Sequence, residues 1–167
     1  MARISVLICT LAFAIPMFGS VNAQQLGGST GDYYTDLGAI LGAVEAVKLI
    51  KDICNQDFPE TAASNEKYYA DWRTKNFKFL QEVERNRIRV INEYLKISAA
   101  KAAEYQSTFN KTMSAFKAQQ RNDMASDGLA EFRAKCAKYG ELSQSQQWNL
   151  QSSMAEEVAT MRKRQIK

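Results

Sequence analysis

The feature that most constrains this fold is a long stretch without helix-breaking residues: residues 60–127 contain neither proline nor glycine. Alanine, glutamate, lysine, glutamine and arginine dominate there, and all have high helix propensity. No part of the chain shows the sustained alternation and turn signals that are typical of β-strands. We therefore expect an all-α fold, an elongated helical bundle of four to five helices.

The same stretch can run in two ways. One helix over residues 58–127 would be roughly 105 Å long at 1.5 Å per residue. A small domain more often folds back on itself, so we expect a helical hairpin with its turn between Ser98 and Ser107. No residue in that interval marks a turn, and one long helix is the alternative.

Apolar residues at three- and four-residue steps predict which face of each helix is buried. The predicted inward-facing residues, in chain order, are Leu37, Ile40, Leu41, Val44, Val47, Ile50 and Cys54; Tyr69, Trp72, Leu80, Val83, Val90, Ile91, Tyr94 and Ile97, with Asn76 and Arg87 among them; Ala102, Phe109, Met113, Phe116 and Met124; Leu129, Phe132, Cys136 and Tyr139; and Trp148, Met154, Val158 and Met161.

Three capping signals predict helix ends. Asp57 with Glu60 resembles a capping box at the start of the long helical stretch. Gly140 is a typical C-cap residue for the short helix before it. Ser143 with Gln146 predicts a second capping box, which would open the last helix.

The N-terminus has the pattern of a secretory signal peptide. Arg3 precedes an apolar run over residues 4–18, and small residues end the segment at Ala23, where we expect cleavage. A transmembrane anchor is the alternative, but the run is short for a hydrocarbon core about 30 Å thick. We expect a signal peptide (residues 1–23), a glycine-rich flexible leader (24–34) and one helical domain (35–167).

Two cysteines remain after cleavage, Cys54 and Cys136, because Cys9 leaves with the signal peptide. An exported chain with an even number of cysteines usually pairs them, so we expect a structural disulfide. A zinc site is the rival, but two thiols without histidine need carboxylates to complete a tetrahedral set. The spacing excludes a catalytic Cys-x-x-Cys pair.

The chain has no histidine, which excludes Ser-His and Cys-His nucleophilic sites and most transition-metal sites. It also has no glycine-rich phosphate loop, so we expect neither a cofactor nor an enzyme. Carboxylates of the long helical region could supply an acid and a base. Basic residues at helical spacing predict a salt-bridged surface instead. The expected pairs are Lys78–Glu82, Glu84–Arg87 and Arg89–Glu93.

A candidate binding surface comprises Tyr68, Phe77 and Arg87. Adjacent helical residues differ by about 100° in direction, so an aromatic cluster around Trp72 cannot all face the core. Tyr68 or Phe77 is therefore expected at the surface, where it can mark a partner site. Arg87 falls within an apolar stripe, as an ion-paired arginine or as an anion contact in a groove.

Part of the sequence resembles small helical envelope proteins of Gram-negative bacteria, which are mostly uncharacterised. The resemblance rests on the pattern Cys54, Pro59, Asn65, Tyr69, Trp72 and Asn76, with a distant Cys136 and a signal peptide. A weaker similarity is to periplasmic chaperones of the Spy and CpxP type, whose Leu-Thr-x-x-Gln helix starts are similar to residues 142–147. The resemblance implies a helical, periplasmic protein and transfers no catalytic residue.

These observations favour an exported, non-enzymatic binding protein of the periplasm, or a secreted one: an inhibitor, an adaptor or an accessory envelope component. Its partner would be another envelope protein or an unfolded client. A holdase-like chaperone is the alternative, and a carboxylate-only hydrolase of envelope polysaccharide is a remote one. The net charge of +4 is mild, so no nucleic-acid partner is expected, and no stable membrane span remains after cleavage.

Overall fold

The computed structural model describes residues 28–164, and no β-strand occurs among them. The all-α fold class is therefore confirmed. The described residues form eight α-helices rather than four to five. They are α1 (Tyr33–Asp57), α2 (Ala62–Lys75), α3 (Phe77–Ile97), α4 (Ala99–Ala125), α5 (Leu129–Ala137), α6 (Tyr139–Gln144), α7 (Leu150–Ser153) and α8 (Ala155–Lys163), with 3₁₀ turns at Pro59–Thr61 and Gln146–Trp148.

Helix α1 is the centre of the packing, since α2, α3, α4, α5, α7 and α8 all contact it. Asp32 caps its N-terminus by accepting a hydrogen bond from the backbone N–H of Thr35 at 2.8 Å. Its predicted apolar face is confirmed, because Leu37, Ile40 and Val47 are almost completely buried. Burying such a face is the main source of stability for a helix in water.

The long helical stretch folds back on itself as expected and does not form one continuous helix. Ser98 separates α3 from α4 and accepts a hydrogen bond from the backbone N–H of Lys101 at 3.1 Å, as an N-cap residue does. The rings of Tyr94 and Tyr105 stack with centroids 5.3 Å apart, so α4 folds back along α3. We call α3 and α4 together the hairpin.

A second interruption of the long stretch lies at Asn76 and was not predicted. Its side-chain amide donates a hydrogen bond to the backbone carbonyl of Trp72 at 2.9 Å, which ends α2. Trp72 is buried, and its indole N–H donates to the carbonyl of Trp148 at 2.9 Å. This break, together with those that divide the C-terminal segment, explains why four to five helices was too low a count.

The disulfide is confirmed. Cys54, near the end of α1, bonds Cys136 of α5, with Cα atoms 5.2 Å apart and a sequence separation of 82 residues. Both cysteines are fully buried beside Phe58 and Phe132, whose rings meet edge to face at a centroid distance of 4.9 Å. The bond joins the first long helix to the short C-terminal helices.

Three predicted caps are wrong. Asp57 is the last residue of α1, and its carboxylate accepts two hydrogen bonds from Arg121 of α4. Gly140 lies inside α6 and does not cap α5. Ser143 donates to the carbonyl of Gly140 at 2.9 Å and opens no helix. In each case a tertiary contact or a tight turn takes the place of the local capping bond.

Two residues predicted to face inward are exposed. Ile97 is 71% exposed at the end of α3, and Leu129 is 69% exposed at the start of α5. Helical periodicity assigns a residue to a face but does not say whether a neighbour covers that face at the helix end. Trp148, Met154 and Met161 are buried as predicted.

The N-terminal residues that can be described are fixed to the helices. The signal peptide (residues 1–23) and the first part of the leader lie outside the described residues. Within the rest of the leader, Ser29 and Thr30 donate hydrogen bonds to the buried carboxylate of Asp36. Helix α1 begins at Tyr33, two residues before the expected start of the helical domain.

Candidate functional site

The three residues of the predicted binding surface do not lie together. Tyr68 is half-buried on α2, and its ring packs against the backbone of Gly140. A Cβ atom at position 140 would lie 2.3 Å from Cε2 of Tyr68. Tyr68 therefore packs within the fold, whereas Phe77 and Arg87 both belong to α3.

Helix α3 carries a line of exposed apolar side chains. Phe77 is 57% exposed, Ile88 45% and Leu95 50%. Steps of 11 and 7 residues are close to whole turns of a 3.6-residue helix, so the three lie on one side of it. We call them the outer stripe. The opposite side of α3 carries the buried residues Phe79, Val83, Asn86 and Val90.

A groove with a volume of about 240 Å³ lies between the two helices of the hairpin, beside the outer stripe. Arg87, which directly precedes Ile88, forms its α3 side. The groove continues over α4 into a shallow depression. We call the two together the hairpin groove, which is lined by Arg87, Ala103, Tyr105, Gln106, Ser107, Phe109, Asn110, Lys111 and Ser114.

Arg87 is held by an ion pair within α3. Its guanidinium donates two hydrogen bonds to the carboxylate of Glu84, each at 2.7 Å. Hydrogen bonds from Arg87 hold the pKa of Glu84 below its usual range. The pairing that spacing predicted is therefore confirmed, and the charge of Arg87 is already compensated.

The hairpin concentrates positive charge. Residues 77–125 contain nine Lys and Arg, four Glu and Asp123, a net of +4, which equals the net charge of the whole chain. All four glutamates are paired. The pairs are Glu82–Arg162, Glu84–Arg87, Glu93–Arg164 and Glu104–Lys101. The uncompensated charge of this region is therefore positive.

Two of these pairs differ from the expected ones. Glu82 bonds Arg162 at 2.7 Å and Glu93 bonds Arg164 at 3.0 Å, so both acids pair with bases at the C-terminal end of α8 rather than with a base one turn away on α3. A bond between distant parts of the chain satisfies groups that are partly buried. These pairs fix the last helix against the hairpin.

The acids of the chain do not assemble into an evident catalytic pair on the hairpin. Asp36 and Glu157, which the sequence did not single out, have opposite pKa shifts, and the charge of Asp36 contributes to the raised pKa of Glu157. Burial alone would raise the pKa of Asp36, but hydrogen bonds from Ser29 and Thr30 outweigh it and lower that pKa. Burial raises the pKa of Glu157. Neither residue lines the hairpin groove.

Over the part of the chain that the structure describes, no cluster of three or more Cys, Asp or Glu side chains is arranged to hold a metal ion. Over the same residues, none of the helices combines the length and hydropathy needed to cross a bilayer.

The sequence missed two of the three residues of the outer stripe. Ile88 and Leu95 are seven residues apart, and Phe77 is eleven residues before Ile88. That spacing was a usable signal, since it forms a second apolar line opposite Val83 and Val90. A helix with apolar residues on two opposite sides has one side left over after it packs in a domain.

Comparisons of the chain with protein-family models, with curated proteins and with solved structures gave no match. The function is therefore argued from the chain's own geometry and chemistry.

Proposed function

We propose that this chain is an exported, non-enzymatic protein of the periplasm that binds another macromolecule through the outer stripe and the hairpin groove. The observation that carries the proposal is the outer stripe itself: Phe77, Ile88 and Leu95 are about half exposed and lie along one side of α3. An inhibitor, an adaptor or an accessory envelope component would use such a surface.

The arrangement matters more than the number of exposed residues. Single exposed apolar side chains are normal on protein surfaces. Here three of them follow one line over about 27 Å of helix, at 1.5 Å per residue. The adjoining groove adds the aromatic side chains of Tyr105 and Phe109. Apolar side chains in a continuous line are the kind of surface that a partner covers.

Capture of binding partners from the native envelope, followed by mass spectrometry, tests the proposal. The mature protein should capture a defined partner, and Ile88→Asp/Leu95→Asp should lose it. Leu129→Asp is the matched control, because Leu129 is exposed on α5, away from the outer stripe. Equal capture by all three proteins would overturn the assignment of this surface.

The export step has its own test. Mass spectrometry of the protein from its native host should give a chain that begins at Gln24, and fractionation should place it in the periplasm or the medium. An uncleaved chain in the membrane fraction would contradict the proposal.

A holdase-like chaperone is the second candidate, because the hairpin combines exposed apolar residues with excess positive charge. A holdase binds many unfolded clients, whereas an adaptor binds one folded partner. Suppression of aggregation of several unrelated model clients, lost in Ile88→Asp/Leu95→Asp, would support the chaperone. No suppression at several-fold excess would count against it.

A carboxylate-only hydrolase has the least support. Asp36 and Glu157 have the opposite pKa shifts that an acid and a base need. Both are almost completely buried, and Asp36 is already bonded by Ser29 and Thr30. A substrate would therefore have to displace these bonds before it met either acid.

A further inference from the structure

We propose that the occupant of this surface is an acidic amphipathic helix of a partner protein, which lies along the hairpin with its apolar side on the outer stripe. The inference rests on the proposed binding function and names the chemistry of the partner. Two observations support it: a row of unpaired bases beside the outer stripe, and ion pairs that neutralise all four glutamates of the hairpin, so that Asp123 near the end of α4 is its one acid outside these pairs.

The row of bases runs parallel to the outer stripe. Lys78, Arg85 and Lys96 are exposed, and none of them forms an ion pair within residues 28–164. They are separated by 7 and 11 residues, so they lie on one line, displaced by about 100° or less from the stripe. An apolar line with a basic edge is complementary to an apolar line with an acidic edge.

The depression on α4 also carries a base. Lys111 lines it and is exposed without an ion pair among the described residues. The two nearest acids of the hairpin, Glu84 and Glu104, are neutralised by Arg87 and Lys101. The row of bases lies on the far side of the outer stripe from the groove, about 180° round α3 from Arg87, so it forms a basic edge to the outer stripe alone.

The length of the outer stripe suits a helix. Phe77, Ile88 and Leu95 span about five turns of α3, so an amphipathic helix of about 20 residues can lie along all three. The partner's apolar residues would pack on these three side chains.

Charge also argues against a second copy of this chain. If two outer stripes met in antiparallel fashion, Lys78 of one copy would face Lys96 of the other. Like charges placed opposite one another are destabilising across an interface.

The test uses the mature protein and two synthetic helical peptides of about 20 residues, identical in their leucine positions but flanked by Glu in one and by Lys in the other. Fluorescence anisotropy should show at least about tenfold tighter binding of the Glu peptide, weakening as salt is added. Lys78→Gln/Arg85→Gln/Lys96→Gln should lose at least about tenfold of that affinity.

A matched control removes the same charge elsewhere. Lys67→Gln/Lys138→Gln/Lys163→Gln changes three exposed lysines outside the hairpin and should bind the Glu peptide as the unmodified protein does. Equal affinity for both peptides, no binding of either, or equal losses in the two triple variants would overturn the inference.

Two further outcomes would assign a different binding partner to the outer stripe. Binding to vesicles of phosphatidylethanolamine and phosphatidylglycerol that exceeds binding to the Glu peptide and is lost in the hairpin triple variant would assign a membrane instead. A dimer in sedimentation equilibrium that Ile88→Asp dissociates would assign a second copy.

The same variants separate this inference from the proposed function. If envelope capture is lost in Ile88→Asp/Leu95→Asp but unchanged in the hairpin triple variant, the binding function stands and the acidic partner is overturned. If capture is unchanged in both, the binding surface itself is overturned.

Discussion

Single buried polar atoms connect helices that are distant in sequence. The hydroxyl of Tyr139 donates to the carbonyl of Val47 at 3.1 Å, and that of Tyr33 donates to Asn86 at 3.1 Å. A buried polar group without such a partner costs about 1–3 kcal/mol. These bonds therefore specify which helices pack together. The contact of Tyr68 with Gly140 also specifies the packing, because a larger residue at position 140 would overlap the Tyr68 ring.

The size restriction at Gly140 gives the first prediction. Gly140→Ala should lower the free energy of unfolding by roughly 1–3 kcal/mol, because the new Cβ would overlap the ring of Tyr68. Urea denaturation measures the loss. Gly38→Ala is the control, since nothing lies within 4 Å of its Cβ position, and it should be neutral or stabilise by up to about 1 kcal/mol. Adding Tyr68→Ala should recover part of the loss; no recovery would contradict the assigned contact.

Glu157 gives a prediction about pH. Burial raises its pKa, and the charges of Asp36 and Glu156 raise it further, against a hydrogen bond from its own backbone N–H. A raised folded-state pKa stabilises the fold fully below the unfolded value of about 4.3 and loses that stabilisation as pH rises through the folded value. Glu157→Gln cannot ionise, so its Tm relative to the unmodified protein should rise between pH 4 and pH 7.

Thermal unfolding at several pH values measures this difference. Glu131→Gln is the control for loss of one carboxylate, because Glu131 is exposed on α5 and does not influence the pKa of Glu157. A Tm difference for Glu157→Gln that does not change with pH would show that Glu157 ionises equally well in both states.

At the scale of elements, α3 has two apolar sides, of which one is buried in the core and the other is exposed. Val90 is 1% exposed and packs in the core, whereas Ile88 points away from it. The free energy of burial applies to the first side only, at about 25 cal/mol per Å². The outer stripe therefore contributes little to the stability of the isolated chain and is available for binding.

A pair of substitutions on α3 measures this difference. Val90→Ala should lower the free energy of unfolding by roughly 1.5–3 kcal/mol, since it leaves a cavity in the core. Ile88→Ala should change it by less than about 0.5 kcal/mol. Chemical denaturation of both variants measures the free energy of unfolding. A decrease for Ile88→Ala as large as that for Val90→Ala would mean that the side chain of Ile88 is buried.

At the scale of the whole molecule, cross-links join the two ends of the chain. The disulfide ties α1 to α5, and the pairs Glu82–Arg162 and Glu93–Arg164 tie α8 to α3. Partly exposed ion pairs contribute little each. The disulfide should dominate, because it removes much of the freedom of a long loop in the unfolded chain.

Removal of the disulfide should therefore have the largest effect. In the chain-entropy treatment, Cys54→Ala/Cys136→Ala lowers the free energy of unfolding by up to roughly 4–5 kcal/mol for a loop of this length. Denaturation of the double variant measures it, and thiol labelling of the denatured, unreduced mature protein should find no free thiol. A labelled thiol would show that Cys54 and Cys136 are not bonded to each other.

Prediction from sequence succeeded where a pattern repeats over many residues and failed where one contact decides. The buried faces of α1 and of the last helices were predictable because a core must be covered along its whole length. The caps at Asp57, Gly140 and Ser143 were not, because Asp57 pairs with the distant Arg121, Gly140 packs against Tyr68, and Ser143 bonds within its own helix. Of the candidate site, Phe77 and Arg87 were identified from sequence, while Ile88 and Leu95 required knowledge of which side of α3 stays uncovered.

The sequence by itself determined the all-α class, the pairing of Cys54 with Cys136 and the lack of histidine chemistry, since propensity, cysteine count and composition are local properties. Only the tertiary structure decided where the long stretch breaks, which acids meet which bases, and which apolar line remains outside. The physical reason is that burial is relative: an apolar side chain is part of the core only when another element covers it, and nothing in the described chain covers the outer stripe.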